Sequence, residues 1–369
     1  MTPARRTAQI LTLIALVVTL AACGGSQEPA GDAPAEAERA FLSVGTAPTG
    51  GAFFVVGGAL ADVAGEHNAN WNVTAEATAG SRENIRRLTQ GDLDFALSNA
   101  AISYFAVRGE ASWDQAYPIR AVMTLAPNIA LFISPADSGV TSIGDLRGKR
   151  VVTGPAGAGF EMFVGPLVEA HGLTYDDFTA LNATQSGAVD LLADGSAVAA
   201  FLGGAVPTAS ITQASSSMDI RLVPFDDDAK QKVLTDYPFF APATIPAGTY
   251  RGQDEDYQGL NVGSMHLITS ESASEETVYQ FTKTIYEQRA SVVERHPAGK
   301  AIQPKNVVRD TGTPFHPGAI RYYQEIGIWP DSEPAEDGGA AEGGAEDGGA
   351  EDGGDDASAT DATGDGTDG

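Results

Sequence analysis

Cysteine is almost absent: the chain has one, Cys23, in 369 residues. A single thiol excludes an internal disulfide and any metal site built on clustered cysteines. Basic residues are scarce too, with 22 Lys and Arg against 49 Asp and Glu and a net charge of -27. Nucleic-acid partners need Lys/Arg-rich surfaces to displace counterions from phosphate, and this balance excludes them. About half of the acidic excess is local, because residues 331–369 hold fourteen acids and no Lys or Arg. Histidine is thin as well. The five (His67, His171, His266, His296, His316) lie far apart, without the spacings that put two imidazoles on one metal. No Gly-x-Ser-x-Gly elbow occurs. The expectation is therefore no enzyme, no cofactor and no metal. His316, between Phe315 and Pro317, reads as the holder of the turn before a Tyr322-Tyr323 helix. No segment after the amino-terminal one has ~18 uninterrupted apolar residues, the length a membrane-spanning helix needs. If the protein serves transport, another polypeptide forms the channel.

The ends of the chain differ from its middle. Arg5 and Arg6 precede an apolar run over residues 10–20, of signal-peptide length and short for a bilayer span. The run closes on Leu20-Ala21-Ala22-Cys23, which resembles a bacterial lipobox. Residues 1–22 are thus expected to be a cleaved lipoprotein signal, with Cys23 as the lipidated residue. Residues 23–40, rich in Gly, Pro, Ala and Glu, read as a tether. Residues 331–369 repeat Glu-Asp-Gly-Gly and offer no apolar side chain beyond Ala, so they are expected to be a disordered acidic tail. Their spacing matches no EF-hand loop.

The 43% of residues that are hydrophobic support a sizeable core in the body between these ends. Strand-like and helix-like patterns alternate there. Residues 41–44, 71–77, 93–97, 129–133, 150–153 and 198–202 read as strands. Phe53, Val56, Leu60 and Ala64, then Ile85 and Leu88, fall at helical spacing, and residues 160–170 read as a helix. Residues 274–294 read as one long helix opened by Ser274-Glu275-Glu276-Thr277, with Val278, Phe281 and Ile285 as its stripe. Alternation of this kind predicts an α/β fold with largely parallel sheets.

Small residues cluster at three strand-to-helix junctions: Thr49-Gly50-Gly51, Thr78-Ala79-Gly80-Ser81, and residues 154–159 with Gly154, Gly157 and Gly159. Glycine lets a ligand approach the backbone, and a helix N-terminus offers unpaired N–H groups at its positive end. Parallel sheets gather such junctions at the carboxyl ends of their strands, where ligands bind. The three suggest a cleft for an anionic or zwitterionic small molecule, with Ser81 as a candidate helix cap. The third junction is not a P-loop, since no Lys-Ser/Thr follows it. It is not a dinucleotide fingerprint either, since position 162 is Met.

These junctions also carry a resemblance to the TAXI family of TRAP-transporter solute receptors, over about residues 41–328. It rests on Val44-Gly45-Thr46 through Thr49-Gly50-Gly51-Ala52-Phe53-Phe54, on Glu76-Ala77-Thr78-Ala79-Gly80-Ser81-Arg82-Glu83-Asn84-Ile85, and on Asp145-Leu146-Arg147-Gly148-Lys149-Arg150-Val151 with the 154–161 loop. Ile245-Pro246-Ala247-Gly248 and His316-Pro317-Gly318-Ala319 follow in order. The resemblance implies a type II periplasmic-binding-protein fold: lobe I from residues 41–126 and 236–330, lobe II from 127–235, joined by a hinge that closes over a solute. It implies an exported, lipid-anchored receptor that hands the solute to a TRAP membrane subunit. The alternatives are a binding lipoprotein of an ABC importer or a sensory system, a ligand-free surface lipoprotein, and an enzyme on the same fold. Candidate ligand contacts are Thr49, Gly50, Gly51, Phe53, Thr78, Gly80, Ser81, Asn84, Asn99, Gly157, Ala158, Gly159, Phe160 and Gly204. Phe53-Phe54 replace the family's usual two tyrosines, Asn99 its Gln, Ala101 its Asp, Ala158 its Ser and Phe160 its Thr, which makes the expected pocket less polar. Arg82 is unusual at its place, and reads either as a partner for a ligand carboxylate or as a residue of the helix exterior. Mass spectrometry of membrane-extracted protein is expected to find a diacylglyceryl group on Cys23; an unmodified thiol would refute the anchor.

Overall fold

The computed structural model describes residues 40–49 and 52–330. The signal, the tether with Cys23, Gly50, Gly51 and the acidic tail lie outside the described residues.

The chain first lays down β1 (Ala40–Gly45), α1 (Ala52–Glu66), β2 (Trp71–Glu76), α2 (Ser81–Gln90), β3 (Phe95–Asn99), α3 (Ala100–Arg108) and β4 (Ile119–Thr124). It then crosses to a second lobe with β5 (Ile129–Pro135), β6 (Arg150–Gly154), α4 (Glu161–Ala170), β7 (Thr179–Asn182), α5 (Gln185–Ala193) and β8 (Ala199–Gly204). There follow α6 (Ala209–Ser217), β9 (Ile220–Leu222), α7 (Asp227–Asp236), β10 (Phe240–Ile245) and β11 (Tyr257–Val262). The chain returns through β12 (Met265–Ser270) and ends in α8 (Glu275–Glu287), α9 (Arg289–Arg295), α10 (Pro304–Val307) and α11 (Pro317–Glu325).

The first sheet runs β2-β1-β3-β12-β4 and the second β10-β11-β5-β8-β6-β7, with β9 on β5. In each, the first strand that leads into a helix pairs in parallel with the next two, and the strand beyond is antiparallel. Lobe I follows 2-1-3 plus a returning strand, and lobe II repeats the order. This is the two-lobed architecture that the family resemblance implied. The lobe boundary differs from the expectation at one place. Residues 236–262 do not return to lobe I, because β10 and β11 extend the second sheet and the chain crosses back only after Val262. The first crossing runs through residues 125–128.

Burial explains the strand patterns. β3 is central and buried throughout, whereas edge strand β2 has exposed Asn72 and Thr74 alternating with half-buried neighbours. The expected long helix is two. Gln288 ends α8 and begins α9, and the bend brings Val292 into the core. Ser274 caps α8 by accepting from Thr277 N, while Glu275 and Glu276 oppose the helix dipole.

The crossings are paired. Val262 N donates to Asn128 O at 2.9 Å, Leu125 N to Met265 O at 2.7 Å and Met265 N to Ala126 O at 2.9 Å. Between them Gly263 takes φ 109°, a left-handed conformation, and a Cβ there would stand 2.4 Å from Asn99 Oδ1.

Lobe I has a core of its own between its sheet and α1, α8 and α11. Its other face, under α2 and α3, is continuous with the core of lobe II. Phe281 anchors the first core: it is fully buried and stacks on Phe95 at 4.0 Å between ring centroids. Phe281→Ala is expected to cost about 3–5 kcal/mol of unfolding free energy in urea denaturation, from lost transfer energy and the cavity left behind.

Candidate functional site

The carboxyl ends of the parallel strands in both lobes point to the seam between the lobes. On the lobe I side lie Thr46 to Thr49 after β1, residues 77–80 after β2, and Asn99 at the end of β3. On the lobe II side lie residues 155–160 after β6, Ala183 and Thr184 after β7, and residues 205–208 after β8. The two sides meet at Gly159. It takes φ 89°, and a Cβ there would come within 2.9 Å of Ile102 Cδ1 and 3.1 Å of Arg82 Cγ, both in lobe I. Glycine is thus required twice at this position, for its backbone angle and for its space.

The lobe I candidates form a hydrogen-bonded lattice. Asn84 Nδ2 donates to Thr46 O and to Leu97 O, each at 2.7 Å, tying the ends of β1 and β3. Thr78 Oγ1 donates to Thr46 O at 3.2 Å and accepts from Gly80 N at 3.1 Å. Ser81 does not cap α2: Gly80 holds the N-cap position, and Ser81 Oγ accepts from Asn99 N at 3.0 Å. Asn99 uses both ends of its amide. Its oxygen accepts from Ala101 N at 2.8 Å and caps α3, and its nitrogen donates to Gly263 O at 2.9 Å on the return crossing. These residues come together, with their polar groups largely engaged by backbone. Thr49 is exposed at the end of the first junction, and Phe53 is half-buried against the lobe I core.

In lobe II, the Phe160 ring packs on Gly154 and on Phe163, whose centroid is 4.9 Å away. Ala158 is buried, and Gly157 and Gly204 have left-handed φ of 70° and 152°. Helices α2 and α4 both begin without a side-chain cap. Their first turns carry Glu83, which accepts from Ala79 N at 2.8 Å, and Glu161. Three lobe II residues escaped the sequence reading. Gln185 Nε2 donates to Gly203 O and its oxygen accepts from Ser210 Oγ, while Asn182 Nδ2 donates to Gly154 O. No motif marks them; only the sheet order brings them to the seam. A groove of about 250 Å³ lined by Asp227, Lys230, Gln231, Pro242 and Gln258 lies elsewhere and contains none of the candidates.

The hinge holds a polar cluster of its own. Asn261 joins the crossings, accepting from Asn128 N at 3.0 Å and donating to Ser264 Oγ at 2.8 Å, and Arg309 donates to the same Ser264 hydroxyl. His266, fully buried on β12, has Nε2 at 2.7 Å from Thr311 Oγ1. Burial, with the Arg309 guanidinium beside it, pushes the His266 imidazole down to about 3. Among the described residues no group of three or more His, Cys, Asp or Glu could hold a metal, and no helix is long and apolar enough to cross a membrane. His316 has the structural role expected: its Nδ1 accepts from Gly318 N at 3.2 Å and caps α11.

The sequence profile of the NMT1-like family matches residues 44–327. Solved structures similar to the chain include the alkanesulfonate-binding protein SsuA from Xanthomonas axonopodis pv. citri, bound to MOPS. It is 18% identical over 80% of this chain and 86% of that one, with a TM-score of 0.46. The aliphatic sulphonate binding protein SsuA from Escherichia coli is 13% identical over 79% and 84%, with a TM-score of 0.42. A binding-protein component of an ABC phosphonate transporter from Pseudomonas aeruginosa is 12% identical over 71% and 79%, with a TM-score of 0.47.

An imidazole held neutral to about pH 3 makes stability depend on pH. Between pH 6.5 and 3 the unfolded chain binds the proton that folded His266 refuses. Its stabilising contribution is therefore complete above 6.5 and is lost as pH falls, by up to about 1.4 kcal/mol per unit. Urea unfolding at pH 7 and 5 is expected to show a difference smaller by about 2 kcal/mol in His266→Gln than in the wild type.

Proposed function

The chain belongs to the NMT1-like family, and on that premise we propose that it is an extracytoplasmic solute-binding receptor. It takes a small organic solute between its lobes and passes it to a membrane importer. The observation that carries this reading is the meeting of carboxyl-end junctions from two separate sheets across one seam, on a hinge of two paired crossings. A solute that bridges both sides stabilises the closed arrangement over the open one. That differential affinity is the whole mechanism, and it needs no catalytic group.

In this reading Thr49 and Phe53 face the solute from lobe I; Gly50 and Gly51 remain candidates from sequence, outside the described residues. Gly157, Ala158, Phe160 and Gly204 face the solute from lobe II, through backbone N–H groups and ring faces, beside Gly159 at its contact with lobe I. Thr78, Gly80, Ser81, Asn84 and Asn99 hold the lobe I wall in shape. The solute is anionic or zwitterionic, bound by N–H groups at helix starts. Export and a lipid on Cys23 keep the receptor at the membrane surface. The fold serves more than one kind of importer. An ABC permease agrees better with the named sulfonate and phosphonate binding proteins than does the TRAP subunit that the motif resemblance implies.

A thermal-shift screen of the protein against sulfonates, phosphonates, carboxylates and amino acids tests the reading. A true solute at 100 times its dissociation constant is expected to add about 2.7 kcal/mol of stability. No shift with any of them would overturn it. Uptake of the solute into proteoliposomes then separates the partners: ATP dependence with a co-encoded permease supports the ABC importer, and dependence on an ion gradient supports the TRAP type.

A further inference from the structure

Arg82 takes neither of the roles its sequence position suggested. It stands at the start of α2 in lobe I, and its Nη1 lies 3.0 Å from Glu161 Oε1 in lobe II. Ser112, in the lobe I loop between α3 and β4, completes the contact. Its hydroxyl is 2.9 Å from the same Glu161 oxygen and 3.2 Å from Arg82 Nη1, and its carbonyl accepts from Arg82 Nη2 at 2.9 Å. The guanidinium also lies 5.2 Å from the ring centroid of Trp113, a buried residue that adds a cation–π attraction. Arg82 is thus fixed on three sides within its own lobe or against its partner, and its side chain is only 17% exposed.

The other end is fixed as well. Glu161 is the first residue of α4, a helix start without a side-chain cap, where the helix dipole favours a carboxylate. It directly follows the 154–160 loop, and Gly159 of that loop touches the Arg82 stem and Ile102. The polar clasp and the glycine-rich wall are therefore one contact. Parting the lobes here must break the Arg82–Glu161 and Ser112–Glu161 bonds together with the Gly159 contact.

We infer that Arg82 is a positioning residue: through Glu161 and Ser112 it clasps the glycine-rich wall of lobe II to lobe I, and its release is required for the lobes to open. The clasp concerns opening alone and stands whatever the solute is. Its bearing on capture rests on the receptor reading above.

Hydrogen exchange on the solute-free full chain tests it, with backbone amides of residues 110–113 and 157–163 as reporters. Loss of a charge-assisted contact of this kind shifts an equilibrium by about tenfold. Arg82→Ala and Glu161→Ala are each expected to speed exchange at both reporters about tenfold, with amides of β12 and α8 unchanged. The double variant is expected to exchange no faster than either single one, since the two residues act as a unit. Raising salt is expected to speed the reporters in the wild type and not in Arg82→Ala. Wild-type exchange in both single variants, additive effects in the double variant, or an absence of salt dependence in the wild type would overturn the clasp. A failure of the solute screen leaves these readouts untouched, so the two readings fail separately.

Discussion

The pairing of the two interlobe crossings is the constraint on which the rest of the molecule depends. Residues 125–128 and 262–265 run side by side and exchange backbone hydrogen bonds. Neither crossing can twist without the other, so the pair acts as one hinge rather than two linkers. Side chains reinforce it from both lobes. Asn99 reaches Gly263 from the end of β3, Asn261 bridges to Asn128 and Ser264, and Arg309 reaches Ser264 from the segment before α11. Left without partners, these buried polar groups would each cost desolvation energy, and that cost holds the hinge in one arrangement.

The seam in front of the hinge combines two kinds of contact. One is apolar. The face of lobe I under α2 and α3 shares a continuous core with lobe II, and Tyr104 and Phe105 meet Phe239 at 5.2 and 5.8 Å. The other is polar, the Arg82–Glu161–Ser112 cluster at the start of two facing helices. Apolar contact is non-directional and tolerates sliding, whereas the charged cluster has one satisfactory geometry. Together they let the lobes remain in contact while fixing the register of the glycine-rich wall. The polar lattice of Thr46, Thr78, Ser81, Asn84 and Asn99 does the corresponding work inside lobe I, locking three strand ends to one another.

Much of the fold was legible along the chain. The apolar patterns of β1, β2, β3, β5, β6 and β8 and the helical spacing in α1, α2 and α4 are legible along the chain, because periodicity is a local property, whereas β4, β7 and β9 to β12 carry no pattern singled out there. Ser274, Glu275 and Glu276 marked the start of α8 for the same reason. The errors fell where the deciding contact is distant. Residues 240–262 could pair with either sheet as far as sequence shows, and only the ladder of β11 against β5 assigns them to lobe II. The break at Gln288 carries no proline or glycine; the bend is drawn by burial of Val292. Ser81 looked like a cap because it follows Gly80 before a helix, yet its hydroxyl is taken by Asn99 N, eighteen residues away.

The sequence alone determined composition and short-range order. One cysteine after an apolar run, a dearth of cations and histidines without metal spacing, glycine-rich junctions between strands and helices: each follows from composition or short-range order, and none needs a neighbour from elsewhere in the chain. Tertiary structure decided which junctions face one another and which polar groups are already engaged within the protein. Arg82 shows the difference. Its charge is written in the sequence, but whether that charge meets a ligand, water or Glu161 depends on a residue 79 positions away, brought within 3.0 Å by the folding of two sheets onto one hinge.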